Sequence, residues 1–231
     1  MQDDFPCSPI LGLLILVLLV VLAMNQDRAN RKRIQDMQRL CADLNLVFSP
    51  LDPFLIALEY SQCSLFRCGE KRTARNVMHG RLDGVDVKAF DYTFESGTGS
   101  FHQAYTLSCV ILDTGYMFRF LMIRPERVAD RISEAMRAED IDFESDEFSR
   151  AFHVKSEDKK YAYDVIHARM MQFLLDAPRL TVQLVGRSVI IYDWSSFSAE
   201  GFRGAIAFGR EFLGLLPDYL TKEMQMSQEG E

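Results

Sequence analysis

Lysine and arginine are absent before Arg28, and over the whole 231-residue chain 26 basic residues are outnumbered by 33 acidic ones, for a net charge of −7. A nucleic-acid surface needs basic residues gathered across a domain, so no nucleic-acid partner is expected. Cysteine is sparse and odd in number, at positions 7, 41, 63, 68 and 109, without the paired spacing of a secreted disulfide framework, and the thiols are expected to be reduced. The four histidines, at 79, 102, 153 and 167, are scattered, and none has the close carboxylate or cysteine partner of a recognisable metal motif. Cys63 and Cys68 are too widely spaced for the usual zinc or thiol-redox pair. The glycine-rich stretch 96–100 lacks the lysine and following helix of a phosphate-binding loop, and Ser195, Ser196 and Ser198 lack the glycine frame of a nucleophile elbow. No metal, no cofactor and no catalytic residue are therefore expected.

What is present is apolar. Hydrophobic residues make up 48% of the chain, including 17 Phe and 11 Met, which is ample for a packed core. Residues 10–24 form a run of fifteen without a charge, nearly all Leu, Ile or Val. At 1.5 Å per residue the run covers only about 23 Å, but starting at Phe5 brings it to the roughly 30 Å of a bilayer core. A cleaved signal peptide needs a basic leading segment and a small-residue cleavage site, whereas residues 1–5 are acidic and residues 21–25 form a poor site. A buried core helix would carry a polar stripe, which is missing. The expectation is one membrane-spanning anchor at 1–24.

Orientation follows from the first basic residues. Arg28, Arg31, Lys32 and Arg33 lie immediately after the run, which predicts a short N-terminus outside and the remainder in the cytoplasm, with these four side chains close to anionic headgroups. Ile34, Met37, Leu40, Cys41 and Leu44 then recur at helical spacing, giving a juxtamembrane amphipathic helix at 25–46 that can dock on the domain, lie on the membrane or pair with another copy.

Residues 47–221 read as one α+β domain, followed by a polar, disordered tail at 222–231. The stretch 49–69 has no clear periodicity. Asp83-Gly84 between two β-patterned runs predicts a type I′ hairpin, and the glycine-rich stretch 96–100 leads into another strand. Gly115 is read as a turn into residues 117–123, completing a four-stranded antiparallel meander. Pro125 opens a short helix, and residues 148–154 form a strand. Ser156 caps a helix with Ala162, Ile166, Met170 and Phe173 on its buried face. A later hairpin turns at Gly186-Arg187, and a last helix starts at Ser198. About three packed helices are expected.

The stretch Arg75-Asn76-Val77-Met78-His79-Gly80, then Phe90-Asp91-Tyr92, residues 148–154 with Asp158 and Ala162, and the closing Pro217-Asp218-Tyr219 resemble an uncharacterised family of bacterial membrane-anchored proteins. The similarity covers most of the chain beyond residue 45. It implies a bacterial inner-membrane protein with one or two hydrophobic anchors before the domain, and it assigns no activity.

Asp91 and Tyr92, with His102 beyond the glycine-rich stretch, are the candidate ligand-binding residues. Carboxylate, phenol and imidazole at one end of a sheet can bind a polar ligand or move a proton, whereas Asp91 can equally hold the turn. The expected function is a membrane-tethered, non-catalytic module whose partners are the lipid bilayer and a protein or small ligand. The alternatives are an enzyme with a site built from distant residues, and a structural subunit that oligomerises through the helix at 34–44.

Overall fold

A computed structural model describes residues 9–98, 101–126, 141 and 143–226. Its first element, α1 (Pro9–Asp43), is a single helix of 35 residues that runs without a break from the apolar segment into the domain. From Leu11 to Met24 its side chains are exposed, and it is long and apolar enough to cross a membrane. Lower down, Met37, Leu40 and Cys41 are buried in the main core and Leu44 packs against it. The domain itself thus occupies the stripe that was open to membrane contact or self-pairing.

The sheet is six-stranded and antiparallel: β1 (Val47–Leu51), β2 (Glu70–Leu82), β3 (Val85–Thr98), β4 (Phe101–Pro125) and β5 (Phe152–Ser156) are neighbours in that order, and β6 (Thr181–Asp193) also pairs with β4. The β2–β3 turn is built as the sequence predicts, because Asp83 and Gly84 both hold positive φ, 48° and 86°. Residues 49–69 supply most of β1, the short helix α2 (Ile56–Glu59) and a 3-10 turn at Ser64–Arg67. Seven α-helices, α1 included, are found among the described residues, more than the three expected.

Two predicted turns are bulges in continuous strands. Gly115 lies inside β4, and Gly186, at φ 56°, lies inside β6. Between the pairs Asp113↔Ser188 and Phe118↔Gly186, β4 advances five positions and β6 two, so the extra residues are absorbed by a kink. Gly186 looks like a turn residue in sequence because a bulge and a turn make the same demand on φ, whereas Gly115 holds no positive φ and sits in the strand as any residue could.

Residues 148–154 divide between α3 (Asp146–Ala151) and β5. The helix after it starts one cap later than predicted: Asp158 accepts from the Tyr161 amide, and Ser156 Oγ instead donates to Phe120 O. His167 caps a second helix, so the stretch splits into α4 (Lys159–Val165) and α5 (Ala168–Asp176). Ser198 caps α6 (Ala199–Gly214), as predicted. A further helix, α7 (Asp218–Met226), runs into the segment read as a tail, and buries Leu220 and Met224. The helix expected after Pro125 lies outside the described residues.

The two faces of the sheet are covered differently. Val87, Ala89, Val110, Leu112, Val189 and Ile191 face α1 and α6 in the larger cluster. Phe90, Tyr92, Phe94, Cys109, Ile111 and Tyr192 face the opposite way, under the 54–68 segment, in a smaller one. Strand alternation alone produces this division.

Replacing Leu40, 2% exposed in the larger cluster, by Ala is expected to cost about 2–4 kcal/mol and several degrees of Tm, read by thermal unfolding of the full chain in detergent. A change below about 0.5 kcal/mol would mean that the lower half of α1 is not core.

Candidate functional site

Asp91 lies on the α1 face of β3, 8% exposed. Arg33 grips it with two parallel bonds, Nη1 to Oδ2 and Nη2 to Oδ1, each 2.7 Å. The remaining lone pairs accept from Asn76 Nδ2 at 2.9 Å and Ser108 Oγ at 2.9 Å. Arg33 also donates to Phe197 O from Nε at 3.1 Å and Nη2 at 2.7 Å, and the Phe197 amide donates to Ser108 Oγ at 2.8 Å. Helix α1, strands β2, β3 and β4, and the entry to α6 thus meet around the Arg33–Asp91 pair.

Each partner arrives by local structure. Arg33 precedes Met37 by four residues and Leu40 by seven, which puts it on the docked stripe rather than on the polar face. Asn76 sits at a bulge, since Arg75↔Asp91 and Met78↔Ala89 leave one extra residue in β2, and its φ of 52° is one asparagine tolerates. A carboxylate accepting four bonds, two of them from a guanidinium, is satisfied and held.

The predicted residues therefore separate. Tyr92 follows Asp91 and points to the opposite face, where its hydroxyl is buried without a hydrogen-bond partner among the described residues and burial pushes its pKa up. The backbone of His102 pairs with Gly97, six residues and about 20 Å along β3 from Asp91, and its side chain lies outside the described residues. Asp91 and Tyr92 cannot line one pocket. Of the four basic residues placed near headgroups, Arg28, Arg31 and Lys32 are exposed, and Arg33 is turned into the domain.

A second polar cluster lies at the far end of the other face. Lys88 donates to Asp113 Oδ2 at 2.8 Å and to the Tyr60 hydroxyl, and Tyr60 donates to the same Oδ2. Ser188 Oγ donates to Asp113 Oδ1 at 2.5 Å, and Glu59 lies 3.4 Å from Lys88. The lysine also sits over the rings of Phe54 and Tyr60, at 5.3 and 5.0 Å. Burial, then the Asp113 bond, push the Tyr60 phenol above its ordinary range and keep it neutral. Glu59, Tyr60, Asp113 and Ser188 of this cluster form one wall of a groove of about 550 Å³ that also holds Gln62, Arg81, Asp86 and Arg187, while Lys88 stands behind that wall, bonded to it. The groove lining carries three acidic side chains, Glu59, Asp86 and Asp113, and two basic ones, Arg81 and Arg187.

Sequence reasoning missed this cluster. The one available signal was Lys88 itself, which stands on the face that Phe90, Tyr92 and Phe94 continue as apolar. Tyr60, Asp113 and Ser188 come from three other elements and carry no common motif. Among the described residues no group of histidine, cysteine and carboxylates stands close enough to hold a metal ion. Cys41, Cys63, Cys68 and Cys109 are free thiols, and burial raises Cys63 to about 12 and Cys41 to about 11, which keeps them protonated and unreactive.

No family model matches the chain, and no curated protein matches it significantly. A solved structure does: the mycobacterial trehalose monomycolate transport factor A, TtfA, matches with a TM-score of 0.56 and 12% identity over 81% of this chain and 97% of that one. The two share a fold.

Two outcomes test these interactions. Arg33→Met is expected to destabilise the full chain by about 2–3 kcal/mol, since Asp91 is left buried and unpaired, whereas adding Asp91→Leu should restore part of that loss. Additive losses in the thermal unfolding of the two variants and their double would show that the pair is not coupled. His79, whose ring meets Phe54 edge-on at 4.8 Å, has its pKa lowered below its ordinary 6.5 by burial and then by Lys88. A base depressed in the folded state stabilises above its unfolded pKa, and that stability is lost as pH falls through about 6.5 toward the lower folded value. His79→Gln should flatten the loss of Tm over this window, and an unchanged slope would exclude His79 as its source.

Proposed function

We propose that this chain is a membrane-tethered, non-catalytic interaction module that holds a rigid domain beneath the bilayer and offers the Lys88–Asp113 groove to a partner protein. The observation that carries the reading is the continuity of α1: one helix forms the apolar segment and the core of the domain, and Arg33 fixes its height on the sheet. Arg33 lies nine positions beyond Met24, so the domain begins within about 14 Å of the end of the apolar run. A flexible linker would serve recruitment alone, whereas a clasped helix fixes position and orientation.

The groove lies at the opposite end. Asp91 pairs with Ser108, and Asp113 is five residues further along β4, about 17 Å more distant from the anchor. Its open lining of mixed charge favours a polar protein surface over a buried small ligand. That the solved structure sharing this fold is a transport factor supports a place in a membrane-bound assembly. The basic residues after the apolar run favour a cytoplasmic domain with the short N-terminus outside.

A photo-crosslinking residue in place of Gln62, in the full chain and in its native membrane, is expected to give one discrete adduct, and Lys88→Glu should abolish it. The same probe at Tyr163 is expected to give none. Equal labelling from both positions would remove the groove as the docking site. A C-terminal reporter active only outside the cytoplasm would reverse the topology.

A further inference from the structure

The clasp that fixes α1 also fixes how far the sheet reaches toward the membrane. Leu46, just past the helix, lies against Gly80, which pairs with Val87, while Arg33 meets Asp91, four residues further along β3. Moving up α1 toward the apolar run therefore moves up β3 toward its C-terminal end. Met24 is about 14 Å beyond Arg33 along the helix. Glu95 is four residues, or about 13 Å, beyond Asp91 along the strand, and the β3–β4 ladder continues to Thr98↔Phe101 at about 23 Å. Helix and strands would have to cross at more than about 50° for that ladder to stop short of the level where the apolar run ends.

The residues at the Glu95 level have the chemistry of an interfacial surface. Gly69 packs directly on the Glu95 carbonyl, so the exposed strip Arg67, Glu70, Lys71 and Arg72, three cations to one acid, lies there, with Lys71 paired to Glu95 at 2.7 Å. Beside it, Trp194 and Tyr105 stand 6.4 Å apart and pack on Phe94, and both are half-buried. Amphipathic rings flanked by cations are what the headgroup layer of an anionic bilayer accepts.

The geometry points to a second membrane contact, in which the sheet end made by Arg67, Lys71, Arg72, Tyr105 and Trp194 rests on the headgroups of an anionic phospholipid bilayer. With Arg28, Arg31 and Lys32 on the exposed part of α1, it braces the domain at two places, so that the domain neither swings nor rotates about its anchor. This inference rests on the proposed spanning role of α1.

Trp194 is the only tryptophan in the chain, which makes its emission a direct probe. The full chain is reconstituted in nanodiscs of zwitterionic lipid with an anionic phosphatidylglycerol fraction and a headgroup nitroxide lipid as quencher, and flotation with vesicles of the same composition is scored separately. Trp194 is expected to lose most of its emission to the nitroxide and to be shielded from aqueous iodide. Arg67→Glu with Lys71→Glu, both at exposed positions, should reverse both effects, with Tm lowered only slightly by loss of the exposed Lys71–Glu95 pair. A chain that floats while Trp194 stays unquenched overturns the second contact and leaves the anchor intact. A chain that does not float overturns both, and quenching indifferent to the two glutamates overturns the role of the basic strip.

Discussion

The arrangement turns on one bidentate pair between Arg33 and Asp91. A hydrophobic stripe can hold a helix against a sheet, but it permits small shifts along and about the helix axis. A planar guanidinium bonded through both oxygens permits far fewer, because two parallel bonds specify direction as well as distance. Since the same carboxylate also holds Asn76 and Ser108, and the same guanidinium the Phe197 carbonyl, helix, sheet and the start of α6 are set relative to one another at a single point. Such a pair contributes little net stability compared with an apolar packing of equal volume; what it contributes is a unique docking geometry.

That geometry gives the domain two ends with different chemistry. The end nearest the apolar run carries aromatic rings and a basic strip, and the far end carries a groove lined by residues of both charges. The middle is core on both faces. The division by face, with helices on one side and the 54–68 segment on the other, is why Asp91 and Tyr92 serve different purposes although they are neighbours. Asp91 is part of the helix attachment, and Tyr92 is a large apolar ring in the smaller core.

The legible parts of the fold were those governed by local chemistry. Asp83-Gly84 predicted its turn because only certain residues hold positive φ, and Ser198 predicted its helix because its hydroxyl can accept the Gly201 amide. Gly186 misled for the same reason, since sequence gives φ preference without saying whether the chain reverses or kinks, and Gly115 misled because a glycine need not use that freedom at all. The split between α4 and α5 was invisible because Ile166 continues the buried periodicity across it. Asp91 was singled out for its place before a glycine-rich stretch, and Arg33 for its nearness to the membrane; nothing local joined them. Lys88, Tyr60, Asp113 and Ser188 were passed over because each is ordinary alone.

The sequence by itself determined that an apolar segment precedes an α+β domain, which residues are apolar enough to form the core, and where the strongest caps and the first hairpin lie. These depend on side chains within one or two turns of each other. Only the tertiary structure decided that the apolar segment and the docked stripe are one helix, that Arg33 belongs to the domain, and that Tyr60, Asp113 and Ser188, from distant parts of the chain, form the wall of a groove. Those outcomes depend on the register of one strand against another and on the height of a helix over a sheet, and both are set by contacts between residues more than fifty positions apart.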